Sequence, residues 1–381
     1  MGKRAYVVLG TLFGDEGKGM QINELCKNLV LPLVVRFNGG HQAGHTVVLE
    51  NGTRHVFSNF GSGTFQNAPT FWSKYCTVSP VGIKREGNVL RKLGYEPKLY
   101  LDANAMITTP FDILQNRRLE EDNNHGSVGV GFGTTIQRNE DNYHLYVRDL
   151  LFPKIRNEKL KLIYSNYYKF NFDPKQPHQN QTTRRLYDEF LQACDELVDK
   201  YSIVDGLYGL YDHTLVFEGA QGIMLDKDYG FFPHVTRSST TSKNALEILK
   251  ELPFEYTTYT YYMTRAYQNR HGNGYMTNIG LNTDYIKENP NETNVMGYQG
   301  EFRKTVLDLD MLKYAISCDG YHNTHTRRSM VITCLDQVPE DIPVTINDKL
   351  STKKYFEIGR FCEIENVFGN YADTGKQHRR A

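Results

Sequence analysis

No stretch of the chain comes near the ~18 consecutive apolar residues of a membrane-crossing helix, and the first residues lack the basic, apolar, then small pattern of a secretory leader. Neither sign of charge prevails: Lys plus Arg total 44 and Asp plus Glu total 44, so no global field would gather nucleic acid or an anionic membrane. The six cysteines, at positions 26, 76, 194, 318, 334 and 362, form no CxxC pair and keep no regular spacing with histidine. That argues against a zinc site or a disulfide framework and for scattered reduced thiols. Myristoylation would need Ser or Thr where Tyr6 stands. Repeats and low-complexity tracts are absent as well. What remains is the expectation of a cytoplasmic globular protein, 381 residues long, with a large core and charged ligands met locally.

What is present alternates. Short apolar, β-branched runs occur at Ala5 to Leu9, Leu31 to Phe37, Thr214 to Phe217, Tyr256 to Met263 and Met330 to Leu335. Between them, apolar residues recur at three- and four-residue intervals in Gln21 to Leu29, Lys84 to Leu93, Thr183 to Tyr201, Ser242 to Leu252 and Asp308 to Cys318. Strands separated by helices predict an α/β fold, a large and mostly parallel central sheet flanked by helices, spanning 1–381 as one extended domain. The Asn, Lys and Tyr-rich segment from Asn157 to Thr182 reads as a polar surface excursion from it.

Four glycine-rich stretches carry the chemistry. "GTLFGDEGKGM", Gly10 to Met20, follows a strand and opens a helix, the geometry in which backbone N–H groups face an anion. It is P-loop-like without being the common P-loop, because Gly19 follows Lys18 where Ser or Thr would hold magnesium. Asp15 is the alternative metal ligand, since a carboxylate beside a phosphate needs a cation or a transferable proton between them; helix capping by Asp15 or Glu16 is the simpler role. "FNGGHQAGHTVV", Phe37 to Val48, sets His41 and His45 four apart among glycines that disfavour a helix, which suits a histidine donating to a phosphoryl oxygen better than a metal pair. "HGSVGVGFG", His125 to Gly133, lets backbone approach a ligand but is no dinucleotide fingerprint. "FEGAQGIMLDKDYGFFPHVTRSSTT", Phe217 to Thr241, holds Glu218, Gln221, Asp226 and Thr236 in a loop punctuated by glycine.

Taken together these stretches resemble the adenylosuccinate synthetase family. Its "WGDEGKGK" stands here as "FGDEGKGM", its "GGxNAGHTVV" as "GGHQAGHTVV", and its "FEGAQGTLLDxDxGTYPxVTSSNTT" as "FEGAQGIMLDKDYGFFPHVTRSSTT". The resemblance implies a purine nucleotide ligase and homodimer that transfers the γ-phosphate of GTP to the 6-oxygen of IMP and then lets the amine of L-aspartate displace it. It implies that Asp15 takes the purine N1 proton and, with the carbonyl of Gly44, binds Mg2+. Lys18 and His45 would neutralise the phosphoryl in flight, and Gln221 would contact the purine near O6 and N1. Nucleotide or phosphate contacts are implied for Gly14, Glu16, Gly17, Gly19, Gln42, Ala43, Thr46, Ser127, Val128, Arg138 and Thr236. In "VITCLDQV" Asp336 stands where the family's aspartate reads guanine.

The sequence also departs from that family. Gln42 replaces an asparagine, and Cys334 replaces the lysine that packs on guanine, which leaves ATP or dATP open as donor beside GTP. "TRAYQNRHGNGYMT", Thr264 to Thr277, matches "TRVGAGPFPT" with an insertion. "VMGYQGEFRKTVLD", Val295 to Asp308, replaces an arginine-rich loop that clamps the amino acid's carboxylates, leaving Arg303 and Thr277 as expected amino-acid contacts, with Arg265 and Arg270 as possible helpers. The partner subunit's phosphate-reaching arginine aligns with Asn142, with Arg138 and Arg148 nearby, and "YADTGKQ" stands near the end where the family has "STGP". A phage relative converts dGMP to 2-aminoadenylosuccinate and carries serine in place of the catalytic aspartate; Asp15 therefore favours IMP or dIMP. A plain GTPase switch fails on the loop spacing, whereas an inactive purine-nucleotide sensor is the second alternative.

Overall fold

The computed structural model describes residues 2–123, 127–170, 175, 181–289, 300–323, 326–370 and 377–378. His125, Gly126, positions 295–299, the 371–376 part of "YADTGKQ" and most of 171–180 lie outside the described residues.

A ten-stranded sheet organises the chain. Its strands in chain order are β1 (Lys3–Gly10), β2 (Pro32–Arg36), β3 (Thr70–Trp72), β4 (Leu99–Asp102), β5 (Ser202–Val204), β6 (Thr214–Gly222), β7 (Tyr256–Arg265), β8 (Thr326–Thr333), β9 (Asn366–Asn370) and β10 (Gln377–His378). Across the sheet they run β10-β9-β8-β7-β1-β6-β2-β3-β4-β5. Every neighbouring pair is parallel except β9 with β10. The α/β expectation is thereby met.

The unbroken apolar run of β1 is explained by burial on both faces. Ala5, Val7 and Leu9 join Phe217, Tyr262, Leu312 and Ile332 on one side. Tyr6 and Val8 join Ile22, Val34, Val216, Met263 and Val331 on the other, beneath helix α1 (Lys18–Asn28). Phe217 is fully buried, and its truncation to Ala would cost about 3–5 kcal/mol.

The next helices are α2 (Pro80–Lys92), α3 (Pro110–Asn123), α4 (Phe132–Glu140), α5 (Pro153–Leu162), α6 (Gln181–Lys200), α7 (Lys243–Lys250) and α8 (Leu309–Gly320). Helix α2 begins where Ser79 Oγ accepts from Gly82 N at 3.1 Å with Pro80 in the first turn, and α8 begins where the Asp308 carboxylate accepts from Asp310 and Met311. A second apolar cluster, including Phe60, Trp72, Phe111, Phe190 and Leu197, packs α2, α3 and α6 around the far end of the sheet.

Local details differ from the expectations. The Met330 to Leu335 run does not stay extended: β8 stops at Thr333 because Cys334 takes φ 60°, and Leu335 begins a short 3-10 turn. Conversely β6 continues through Gly222, so Glu218 and Gln221 sit on a strand and its end, not in a loop. The first residues of the 157–182 excursion form the end of α5 and a π-helical turn from Ile163 to Tyr167. Its Tyr168 hydroxyl donates to Asp112 at 2.6 Å, anchoring that part of the excursion to the core.

Candidate active site

Parallel strands direct their carboxyl ends to one edge, and ligands of such sheets bind in the crevice beyond it. The ends of β1, β6, β2, β7 and β8 bring Gly10, Glu218 to Gly222, Arg36, Arg265 and Thr333 to that edge. The phosphate-like turn leaves β1 there. Gly14 and Gly17 take φ 90° and 83°, and Asp15 between them takes φ 55°, so the chain coils left-handed before α1 starts at Lys18. A side chain at Gly10 could not be accommodated: its Cβ would lie 2.3 Å from Glu16 Oε2 and 2.9 Å from Lys18 Nζ.

Each charged group in this turn has a distinct environment. Glu16 is buried, and its Oε1 accepts from Leu12 N at 2.7 Å and from Thr11 N and Oγ1 at 3.1 Å. Burial outweighs Lys18 and these donors, pushing the Glu16 carboxyl up to about 7. Burial also lowers the Lys18 ammonium, against the attraction of Glu16, Asp15 and Glu218. Asp15 goes the opposite way. Burial raises its carboxyl, but the hydrogen bond and charge of His271, with Arg265 and Lys18, outweigh this and hold it at about 2. His271 Nε2 lies 2.6 Å from Asp15 Oδ2.

The second turn is fixed to the Phe217 to Thr241 stretch. Asn38 Oδ1 accepts from Ala220 N at 2.8 Å, and its Nδ2 donates to Ser239 O at 3.0 Å; Gly39 N donates to Ser238 Oγ at 3.2 Å. His45 opens the hairpin of His45–Val48 with Arg54–Phe57, and its Nδ1 meets Glu218 Oε1 at 2.6 Å. Glu218, fully buried, also accepts from Ser62 N and Oγ and lies 3.9 Å from Arg36 Nη1. Burial would raise its carboxyl, yet His45, Arg36 and Ser62 hold it at about 2, so it is ionised and orients the imidazole.

Buried polar atoms without partners are rare in folded proteins, and several of this chain's lie around these turns. They include Glu16 Oε2, both amide atoms of Gln42, His45 Nε2, Thr77 Oγ1, Gln221 Oε1 and Thr236 Oγ1. Neighbouring backbone places several together. A Cβ on Gly40 would meet Thr77 Oγ1 and Gln42 Oε1, one on Gly19 would meet His45, and one on Gly14 would meet the Gln221 backbone. His41 is nearby in sequence, and burial lowers its imidazole to about 4. The pattern is that of a site whose donors and acceptors are completed by a polar ligand.

Among the described residues no three His, Cys, Asp or Glu side chains gather as a metal cluster. A divalent cation at Asp15 would need backbone carbonyls such as that of Gly44 and ligand phosphates, which fits Mg2+, an ion often held by one or two carboxylates plus substrate phosphates.

The other expected contacts divide. Ala43 is buried in the second turn, while Gly44 and Thr46 are exposed at its rim. Ser127 Oγ accepts from Asn116 Nδ2 and Gly129 N at 3.1 Å, with Val128 half-buried beside it. Asp336 lies in the turn after β8, whose Thr333 donates to Glu16 O at 3.3 Å. Arg303 donates from Nη2 to Gly274 O at 3.0 Å and keeps a buried Nε without a partner, and Thr277 Oγ1 is tied to Gln268. Arg138 does not fit the expected phosphate role. It is fully buried, its guanidinium grips Asp112 at 2.9 and 3.1 Å and donates to Ile107 O and Tyr143 O, so every nitrogen is engaged in the core. Arg270 is likewise committed: its three nitrogens donate to Asn273 O, Tyr275 O and His234 O, and burial with Arg303 beside it lowers the guanidinium to about 10.

Sequence reasoning gave Glu218 no role in the site and passed over Ser62 and His271. A glutamate on an apolar strand was the available signal for the first, since a charge there must be paired. For Ser62 and His271 no local pattern existed.

Comparison with known proteins agrees with this geometry. The adenylosuccinate synthetase family profile matches residues 7–365. The adenylosuccinate synthetase of Chlorobium chlorochromatii is 30% identical over 336 residues, covering 83% of this chain and 74% of the relative. That of Thermoplasma volcanium is 28% identical over 340 residues, covering 83% and 73%. The fold matches the fully ligated adenylosuccinate synthetase of Plasmodium falciparum with a TM-score of 0.76 at 18% identity, over 99% of this chain and 100% of that one. It also matches the cyanophage S-2L succinoaminodeoxyadenylate synthetase, bound to dGMP and to dATP as an energy donor, with a TM-score of 0.62 at 15% identity, over 100% and 96%.

Proposed function

The chain belongs to the adenylosuccinate synthetase family of C–N ligases, and from that premise we propose that it joins L-aspartate to C6 of IMP through a 6-phosphoryl intermediate, at the cost of a GTP-like triphosphate. The observation that carries the reading is Asp15: a carboxylate held low by His271 inside a glycine turn that opens a helix, beside buried polar atoms that have no protein partner. In this reading Asp15 accepts the N1 proton as O6 attacks phosphorus, which converts a weakly nucleophilic carbonyl oxygen into a competent one. Gln221 Oε1 and the Gln42 amide meet the purine and phosphate edges, and Thr236 Oγ1 the nucleotide.

Lys18 and His45 face the phosphoryl group. His45 is oriented through Nδ1 by ionised Glu218, so its buried Nε2 is left for a phosphoryl oxygen. A phosphate dianion there would draw a proton onto Nε2, which burial alone disfavours. Bound Mg2+ would neutralise charge on the phosphates. Asp336 is assigned to the base of the donor and Arg303 with Thr277 to the carboxylates of the amino acid. We read the protein as a cytoplasmic homodimer acting as one structural unit over 1–381; no described helix is long and apolar enough to cross a membrane.

The test combines purified protein, magnesium, GTP, ATP or dATP, aspartate, and IMP, dIMP, GMP or dGMP, with products followed by mass. A succinyl adduct on IMP is expected. An adduct on dGMP, the ligand of the cyanophage enzyme, would replace IMP by guanine as the substrate base. Phosphate release without an aspartate adduct would reassign the amine, and tight nucleotide binding without turnover would make the chain a sensor.

A further inference from the structure

The stretch that departs from the family motif, between Thr264 and Thr277, grips the catalytic turn at three points. Arg265 Nε donates to the backbone oxygen of Asp15 at 2.5 Å, and Asn269 Nδ2 to the backbone oxygen of Gly14 at 3.1 Å. The third contact reaches the carboxylate itself: His271 Nε2 to Asp15 Oδ2, at 2.6 Å. We propose that His271 is a positioning residue for phosphoryl transfer, holding the Asp15 carboxylate in the orientation that receives the purine N1 proton; the proposal rests on the assignment of Asp15 as that base.

The backbone contacts alone would not achieve this. Main-chain contacts do not set the side-chain torsions of Asp15, whose carboxylate, 35% exposed, also feels the charges of Arg265 and Lys18. The 2.6 Å hydrogen bond from His271 fixes the direction of Oδ2 before substrate arrives. His271 is itself held. It ends the strand Gln268–His271, pairs with Phe302 across the antiparallel strand Phe302–Thr305, and packs its ring on Phe302 with centroids 4.7 Å apart. Its Nδ1 is buried and without a partner, which leaves Nε2 as the nitrogen with a reason to carry the proton. The same hairpin carries Arg303 opposite Arg270, so the anchor of the base and the proposed amino-acid contact share one small scaffold.

The experiment uses the full chain in three forms: wild type, His271→Leu and His271→Gln, the last retaining an N–H donor. His271→Leu is expected to slow the turnover number for adduct formation by about 10- to 100-fold. The KM values for purine nucleotide and triphosphate, and the melting temperature, should stay unchanged, and His271→Gln should recover most of the rate. In an Asp15→Asn background His271→Leu should have no further effect. Independently of turnover, the His271 imidazole resonances of ligand-free protein should move on Asp15→Asn substitution. A wild-type rate in His271→Leu overturns the proposal. So does equal impairment of the Leu and Gln variants with a lowered melting temperature, which would make His271 structural. Wild-type protein that forms no adduct with any purine overturns the assignment of the reaction instead, before any variant is measured.

Discussion

The two halves of the site differ in how far their polar groups are committed, although the hairpin half also leaves His271 Nδ1 and Arg303 Nε without partners. Around the Gly10 to Met20 turn, the His41 to Thr46 turn and the end of β6, side chains are buried yet keep atoms without partners: Glu16 Oε2, Gln42, His45 Nε2 and Gln221 Oε1. In the hairpin half most groups are committed internally: Arg270 to three carbonyls, Arg265 to Asp15 O and to Tyr267, Thr277 to Gln268. The first half is also where the family motifs match, and the second is where they break. A polar group left incomplete at burial costs stability unless a ligand completes it, so the first half is read as contact surface and the second largely as scaffold.

The contrast can be broken at its strongest point first. Asp15→Asn should lower adduct formation by about 10²–10⁴-fold with nucleotide affinity largely kept, as measured by single-turnover kinetics and calorimetry. Unchanged turnover would remove the ligase chemistry from this turn. His45→Ala should cost about 10²–10³-fold in the same assay, because a phosphoryl-facing donor is lost.

Glu218→Gln probes the support beneath His45. The Glu218 carboxyl is held at about 2, below the ordinary 4.5, so its contribution to stability is complete above 4.5 and lost as the pH falls through 2. The variant should lack this acid dependence in denaturation curves taken between those pH values. An unaltered acid limb would mean that the His45, Arg36 and Ser62 contacts contribute little.

A smaller effect separates two arginines. Arg303→Met should raise the KM for the amino acid about tenfold, a loss of about 1.4 kcal/mol, with little change in melting temperature. Arg270→Met should do the reverse, because its donors are engaged by carbonyls. Equal effects on KM would dissolve the distinction between contact and scaffold. Least of all, Thr277→Val should raise the amino acid's KM by less than Arg303→Met does and cost under about 1 kcal/mol of stability through its bond to Gln268, and an unchanged KM would take Thr277 out of the amino-acid contact.

Much of this was legible in sequence because it rests on local rules. Strands alternating with helices predicted a mostly parallel sheet, three- and four-residue periods predicted the helices, and clustered glycines marked the turns. Boundaries failed where one residue changed hand, as Cys334 did in ending β8. Arg138 shows the deeper limit. In sequence it is a basic residue beside a glycine-rich turn, and only the approach of Asp112 from the neighbouring helix takes it out of the site.

By itself the sequence determined the α/β architecture, the four glycine-rich stretches and the placement of Asp15, Lys18, His45 and Gln221 within them, because strand alternation and glycine turns act over a few residues. Tertiary structure alone decided which of those groups are satisfied and which await a ligand. Glu218 reaches His45 across 173 positions and His271 reaches Asp15 across 256, and no local pattern encodes a contact between residues that the sheet must first bring together.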